Sequence, residues 1–295
     1  MRGPHNIWRL VRTGATMERT GAMRAVLNAM DAPVSLRIAA RVLGWPFKWL
    51  GDKGDASLPP ITRALTAMGP AYIKFGQLLS TRPDVVGDEL AQQLQILQDK
   101  LPPFATEIAK ATVAEELGRP VSELFSEFSD SVAAASIAQV HKARRADTGE
   151  EVAVKVLRPN IEKAFRKDID AFYFAAFVIE LLSPASRRLR PRDVIAHFEG
   201  IVMGELDLRL ESSAAAEFAA NTENDAGFQV PKVVWELSAR RMMTLGWGEG
   251  IPIHDLAALD DAGHDRSALA QRYCACSLRT RCAMVIFMPI CTRAT

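Results

Sequence analysis

Before residue 274 the 295-residue chain contains no cysteine; all four, Cys274, Cys276, Cys282 and Cys291, fall in the last twenty-two positions. This excludes a disulfide framework for the body of the protein. The spacings fit no common zinc pattern, and no histidine follows His264 to complete one. Long apolar runs are also missing. The longest, Ala171 to Ile179, is closed by Asp170 and Glu180 and is far too short to cross a bilayer, so it reads as a buried helix segment. Met1 to Met23 lacks the apolar stretch and small-residue cleavage site of a secretory signal. Charge of one sign is not in excess either. The net charge is +1, no basic stripe is interleaved with aromatics, and nucleic acid is therefore not an expected partner.

A hydrophobic content of 48% over this length can bury a sizeable core in one large or two ordinary domains. Residues 1–57 read as a basic helical arm: the first sixty carry nine Arg and Lys against four Asp and Glu, with Trp8, Trp45, Phe47 and Trp49. Such an arm is either solvated or seated on an anionic membrane surface. Gly51-Asp-Lys-Gly54 breaks it. From Pro59-Pro60 one helix is expected, with Leu65, Met68, Tyr72, Phe75, Leu78 and Leu79 at spacings of three and four, stopping at Thr81-Arg-Pro83. Two further helices, Asp88 to Leu97 and Ala105 to Leu117, complete a helical extension over 58–119 that contains Lys74-Phe-Gly-Gln77.

From Pro120 the hydrophobic period shifts toward alternation. Strands are expected over Phe125 to Asp130, Val140 to Arg144 and Glu151 to Leu157, then helices over about 161–183 and 191–220, then strands at Val230 to Glu236 and Arg241 to Trp247. This predicts an α+β layer of about five strands over 120–250, with residues 251–272 opening another helix-rich part.

The chemistry is expected in that layer. Val132-Ala-Ala-Ala-Ser-Ile-Ala-Gln-Val140 is a small-residue loop between strand-like runs, and Val152-Ala-Val-Lys155 places a lysine at the end of the next strand. A hairpin lid with a strand-borne lysine suits the phosphates of a nucleotide. The loop has Ala133, Ala134, Ala135 and Ala138 where backbone-exposing glycines are usual, so it should be stiffer. On this segment alone, an alanine-rich helix start is the alternative. Glu205-Leu-Asp-Leu-Arg-Leu-Glu211 reads as three carboxylates on one long helix, with Asp207 and Glu211 sharing a face, so that one could reach Lys155. The alternative is a solvated acidic face paired with Arg209.

Taken together, these motifs are similar to the UbiB family of atypical kinase-like proteins. Lys74-Phe-Gly-Gln77, the alanine-rich loop Val132 to Val140, Val152-Ala-Val-Lys155, and Glu205 and Asp207 followed by Glu211 occur in the family's order, and the likeness covers about 58–272. The resemblance implies a protein-kinase-like N-lobe. It implies that Val132, Ala133, Ala134, Ala135, Ser136, Ile137, Ala138, Gln139 and Val140 bind ATP with Lys155, which pairs with Glu211. Lys74 and Gln77 would lie over the site where other kinases admit a peptide, held in part by Glu205 and Asp207. It further implies ATP and Mg2+ as cofactors, ATPase or small-molecule kinase activity, and support of ubiquinone biosynthesis beside its partner proteins, in the cytoplasm or peripherally on the inner membrane. Gly246 departs from the acidic residue that relatives often carry near the lobe hinge.

What phosphoryl transfer further needs is lacking. There is no catalytic aspartate with an asparagine five residues on, and no Asp-Phe-Gly. No magnesium ligand or catalytic base can therefore be named, most of a C-lobe is expected to be missing, and the chain is expected to be inactive in phosphoryl transfer. Residues 273–295 are expected to be an out-of-frame tail. One permitted codon set for them, read two bases later, gives LRVFFAHALRDGYFHADMHPGN, which restores a His-x-Asp with an asparagine five residues after the aspartate. The nucleotide sequence past residue 272 tests this. A second function of a different class is a non-catalytic scaffold for a membrane or partner, using the basic aromatic N-terminus and the helix around Lys74.

Overall fold

The computed structural model describes residues 5–29, 34–97, 103–182, 188, 190–223, 229–251, 253 and 255–283. The chain divides into two compact units. One comprises 1–102, 135–137 and 160–203; the other comprises 103–134, 138–159 and 204–295.

The first unit is helical. It contains α1 (His5–Thr20), α2 (Ala22–Ala29), α3 (Val34–Gly44), a 3-10 turn (Trp45–Leu50), α4 (Pro60–Met68), α5 (Pro70–Ser80), α6 (Pro83–Val86) and α7 (Asp88–Gln95). Because the chain alternates between the units, α8 (Thr106–Leu117) and α9 (Val121–Leu124) belong to the second, whereas α10 (Ile161–Leu182) and most of α11 (Pro191–Glu205) return to the first. The single helix expected from Pro59 to Thr81 is in fact two. Gly69 adopts φ 112, which breaks the helix, and Pro70 starts the next one.

Ile61, Leu65, Ile73, Leu90, Leu94 and Leu97 form the core of this unit. Beside it, the rings of Tyr72, Phe75, Phe172 and Phe198 pack with centroids 4.8–5.9 Å apart. The run Ala171 to Ile179 lies inside α10, as its flanking charges predict. The Arg9 guanidinium donates to Asp168 at 2.8 Å. Burial raises the Asp168 pKa, and Arg9 opposes that shift.

The second unit carries a four-stranded antiparallel sheet in the order β1 (Phe125–Ala134), β2 (Ala138–Arg145), β3 (Glu151–Leu157), β4 (Met242–Gly246). Four strands form where about five were expected. Pro231 has no N–H to give a ladder, and Trp235–Leu237 winds into a 3-10 turn. The remaining edge of β4 makes only isolated bridges among the described residues, Val233 to Leu245 and Ala239 to Met242. Alternation sends Val152, Val154 and Val156 into a core with Val113, Leu124, Phe125, Ala143 and Met242. Arg241, preceding β4, ties α8 to the sheet by donating to Glu116 at 2.7 Å and pairing with Glu115 at 2.6 Å.

The helix expected over 191–220 is also two, α11 and α12 (Leu208–Asn221). Asp207 leaves the helical conformation and accepts from the Arg209 N–H as the α12 N-cap. Beyond the sheet, α13 (Leu256–Asp261) and α14 (Arg266–Ala283) follow. Tyr273 and Cys274 lie in α14, whereas Cys291 is outside the described residues. Among the described residues no helix is long and apolar enough to cross a membrane.

Candidate functional site

Lys155 lies on an inner strand, opposite Val140 of β2 and Met243 of β4. Its neighbours Val154 and Val156 are fully buried. The two-residue period therefore puts Lys155 on the face away from the core, and burying each valine contributes about 1.5–3 kcal/mol to holding that orientation.

Glu211 comes from the first turn of α12, where the helix dipole favours a carboxylate. This start is fixed twice: Asp207 caps it, and the Leu208 N–H donates to the Arg240 carbonyl at 2.9 Å. Lys155 Nζ then donates to both carboxylate oxygens of Glu211, at 2.6 and 2.7 Å. The two side chains keep 28% and 20% of their surface exposed. An ammonium has three protons; the third on Lys155 meets no partner among the described residues. The glutamate lies not on the helix after β3 but on the third, 56 residues from the lysine.

The alanine-rich segment is mostly strand, and it forms no helix. Val132, Ala133 and Ala134 end β1, Ala138, Gln139 and Val140 begin β2, and only Ala135–Ile137 turn between them. Val132 and Ala133 are exposed, whereas Ser136, Ile137, Ala138 and Gln139 are buried. A ligand at the end of β1 would thus meet Val132 and Ala133. The Gln139 amide is fully occupied. Its Oε1 accepts from Phe104 N–H at 3.0 Å, and its Nε2 donates to the Phe104 carbonyl at 3.2 Å and to His141 Nε2 at 2.9 Å. His141 Nδ1 in turn donates to the Ser129 carbonyl at 2.9 Å. Burial pushes the His141 pKa down. Residue-by-residue reading missed this brace. Its signal was the Gln-x-His spacing, which places two polar side chains on the core face of a strand.

The other predicted residues fall into the two units. In the first, Lys74 and Gln77 are on α5; Gln77 donates to the Leu97 carbonyl at 2.7 Å. Between them, Gly76 packs closely: a Cβ there would meet the terminal methyls of Leu97, Leu65 and Leu94, which would have to shift. In the second, Glu205 ends α11, and Asp207 forms a two-pronged pair with Arg209 at 2.6 and 2.9 Å. That contact holds the Asp207 carboxyl below its usual range. Asp207 and Glu211 do not share the continuous helix that the sequence suggested. Gly246 has open space around a would-be Cβ, with nothing nearer than 3.9 Å, so the fold itself does not demand a glycine there.

A strand-borne lysine clasped by a helical glutamate, on an antiparallel sheet preceded by a small-residue hairpin, defines a protein-kinase-like lobe. The chain belongs to the ABC1 atypical kinase-like family, whose domain matches residues 96–287. It is 41% identical over 210 residues to a protein of Marinobacter nauticus named "Probable protein kinase UbiB", covering 71% of this chain and 38% of that one. A protein of Pseudomonas paraeruginosa with the same name is 38% identical over 268 residues, covering 90% of this chain and 50% of that one. The chain thus spans half or less of the length of these relatives. A solved complex of Rv3197 with erythromycin from Mycobacterium tuberculosis is 32% identical, covers 63% of this chain and 46% of that one, and superposes with a TM-score of 0.46.

Proposed function

We propose that the sheet-bearing unit is the nucleotide-binding part of a UbiB-like atypical kinase or ATPase that serves ubiquinone biosynthesis. In this reading the Val132–Ala134 end of β1 covers the phosphates of ATP, and Lys155, oriented by Glu211, donates to them. The observation that supports it most is the geometry at Lys155: a charged group fixed by two hydrogen bonds, still partly exposed, with one proton to spare. A lysine that served packing alone would not need a capped helix to hold it.

The residues fit the nucleotide better than they fit its metal. Among the described residues no group of three or more His, Cys, Asp or Glu could hold a metal ion. The proposal concerns nucleotide binding by this unit.

Titration with a fluorescent ATP analogue tests this reading. Lys155→Ala should weaken binding by roughly tenfold or more, because a charge-assisted hydrogen bond contributes about 1.5–3 kcal/mol. Glu211→Gln should weaken it less, since the lysine keeps its charge and loses only its orientation. Equal affinity of wild type and Lys155→Ala would refute the proposal.

A further inference from the structure

The ion pair of Lys155 and Glu211 joins a strand to a helix far along the chain, so its geometry depends on how the backbones of the two are held together. One turn does this. Ala239 and Met242 form an antiparallel bridge, with the Ala239 N–H donating to the Met242 carbonyl at 2.8 Å. Between them, the Arg240 carbonyl accepts from the Leu208 N–H at 2.9 Å, and the Arg241 carbonyl accepts from the Leu157 N–H at 2.9 Å. Leu208 opens α12 just before Glu211, and Leu157 ends β3 just after Lys155. Consecutive carbonyls of one turn therefore hold the helix of the glutamate and the strand of the lysine.

A turn lies outside the regular ladders, and these two bonds alone would let it shift with either neighbour. Glu116, from α8, removes that freedom. Its carboxylate accepts from the main-chain N–H of Arg241 at 3.0 Å and from Nε of the same residue at 2.7 Å. Glu115 pairs instead with the far end of the guanidinium, at 2.6 Å. The two carboxylates also differ in setting, since the Glu116 side chain is 15% exposed and that of Glu115 is 70% exposed. A contact that only fastened α8 to the sheet would need the guanidinium alone; Glu116 grips the backbone of the turn as well. Its charge also reaches the start of α12. The Arg209 pKa is raised first by the hydrogen bond to Asp207, and the charge of Glu116 adds to that shift.

We propose that Glu116 is a positioning residue for Lys155: by clamping the Arg240–Arg241 turn it fixes where the start of α12 stands relative to β3, and with it the direction in which the lysine presents its third proton. This rests on the nucleotide reading of Lys155 and deepens it, because it extends the support of the site to α8, which carries none of the motif residues.

Two measurements on the full chain test this. In the first, affinity for a fluorescent ATP analogue is read for Glu116→Gln, Glu211→Gln and the two combined, each corrected for its folded fraction. Glu116→Gln should weaken binding by roughly threefold in the wild type but by less than about twofold in the Glu211→Gln background, where the pair it positions is already weakened. Equal losses in both backgrounds would mean that Glu116 only stabilises the fold, and would overturn the proposal. The second measurement needs no nucleotide. The nitrogen NMR resonance of the Lys155 ammonium, assigned by its absence in Lys155→Ala, should shift or broaden in Glu116→Gln; an unchanged resonance would also overturn the proposal. Glu115→Gln should alter neither readout, and an effect as large as that of Glu116→Gln would assign the role to the charge on Arg241 and against the clamp. Glu116→Asp, which keeps the charge but is one methylene too short to serve both donors, carries the same test if the glutamine variant does not fold. Equal binding of the analogue by wild type and Lys155→Ala would refute the nucleotide reading, whereas the resonance still decides whether Glu116 sets the pair.

Discussion

Gln139 and Lys155 stand on neighbouring strands of one sheet, and their side chains do opposite things. In register, Gln139 lies opposite Val156 on the core face, and Lys155 lies opposite Val140 on the other face. Gln139 is fully buried, and its amide binds Phe104 twice and His141 once. Lys155 is part-exposed, meets one carboxylate and keeps a proton without a partner among the described residues. The first cluster is closed and can only hold the hairpin in place. The second is open and can take a ligand. Membership in a family motif therefore does not fix what a residue does, since both belong to motif segments of the kinase-like lobe and only one faces outward.

Gln139→Leu is expected to have the largest effect. It would leave the N–H and carbonyl of Phe104 and Nε2 of His141 buried without partners. A loss of about 2–4 kcal/mol is expected, read from the urea midpoint. Nucleotide affinity of the fraction that remains folded should change little. Lys155→Ala should show the converse: weakened nucleotide binding, with stability within about 1 kcal/mol of wild type, because the pair keeps 28% and 20% of its side-chain surface exposed and the freed Glu211 stays in the first turn of α12. If Gln139→Leu is as stable as wild type, the brace does not carry the hairpin.

These two roles were not equally visible in the sequence. Lys155 and Glu211 were paired beforehand by the resemblance to the kinase-like family; the residues alone left open which of Glu205, Asp207 and Glu211 reaches the lysine. The path between them was not legible. Two intervening helices, and a break at Asp207 where a short acidic side chain competes with the helix for the Arg209 N–H, are outcomes of local capping within an apparently continuous pattern. The helix break at Gly69-Pro70 was masked in the same way, since the leucines and aromatics around it keep helical spacing. The four-stranded sheet differs from the five strands expected because Pro231 and the turn at Trp235–Leu237 act on an apolar run that otherwise reads as a strand. The Gln139 brace was hidden for a different reason. Its partner, the Phe104 backbone, lies 35 residues away and offers no side-chain signal.

A pH titration of stability probes the buried cluster. The Ser129 carbonyl can only accept, so the proton of His141 sits on Nδ1, and Nε2 must accept from Gln139. Protonating Nε2 would set it against the Gln139 amide N–H. Desolvation is the largest cause of the lowered pKa; the hydrogen bond to the Ser129 carbonyl and the charge of Asp130 oppose it, and Lys110 adds to it. Because the folded pKa is lowered, the unfolded chain binds the extra proton. Stability is therefore complete above the ordinary histidine value of about 6.5 and falls as pH drops through it, by at most about 1.4 kcal/mol per pH unit. Subtracting the profile of His141→Gln from that of the wild type should isolate this slope; a flat difference between pH 7 and 5 would show that the histidine does not titrate against the brace.

The smallest expected effect tests whether any lysine on the outer face would serve. Lys142, on β2, shares that face with Lys155 and also pairs with a glutamate, Glu151, at 2.8 Å. Here the partner belongs to the adjacent strand, the lysine is 36% exposed, and its ammonium lies 4.9 Å over the Trp247 ring. Glu151 titrates below its usual range, first because of the hydrogen bond from Lys142. This is a cross-strand surface pair of the sort that water largely screens. Lys142→Ala should leave the urea midpoint unchanged within error and nucleotide affinity within about twofold of wild type. A loss of affinity as large as that of Lys155→Ala would mean that the whole face attracts the phosphates electrostatically. Unchanged affinity would tie binding to the one lysine held by a helix.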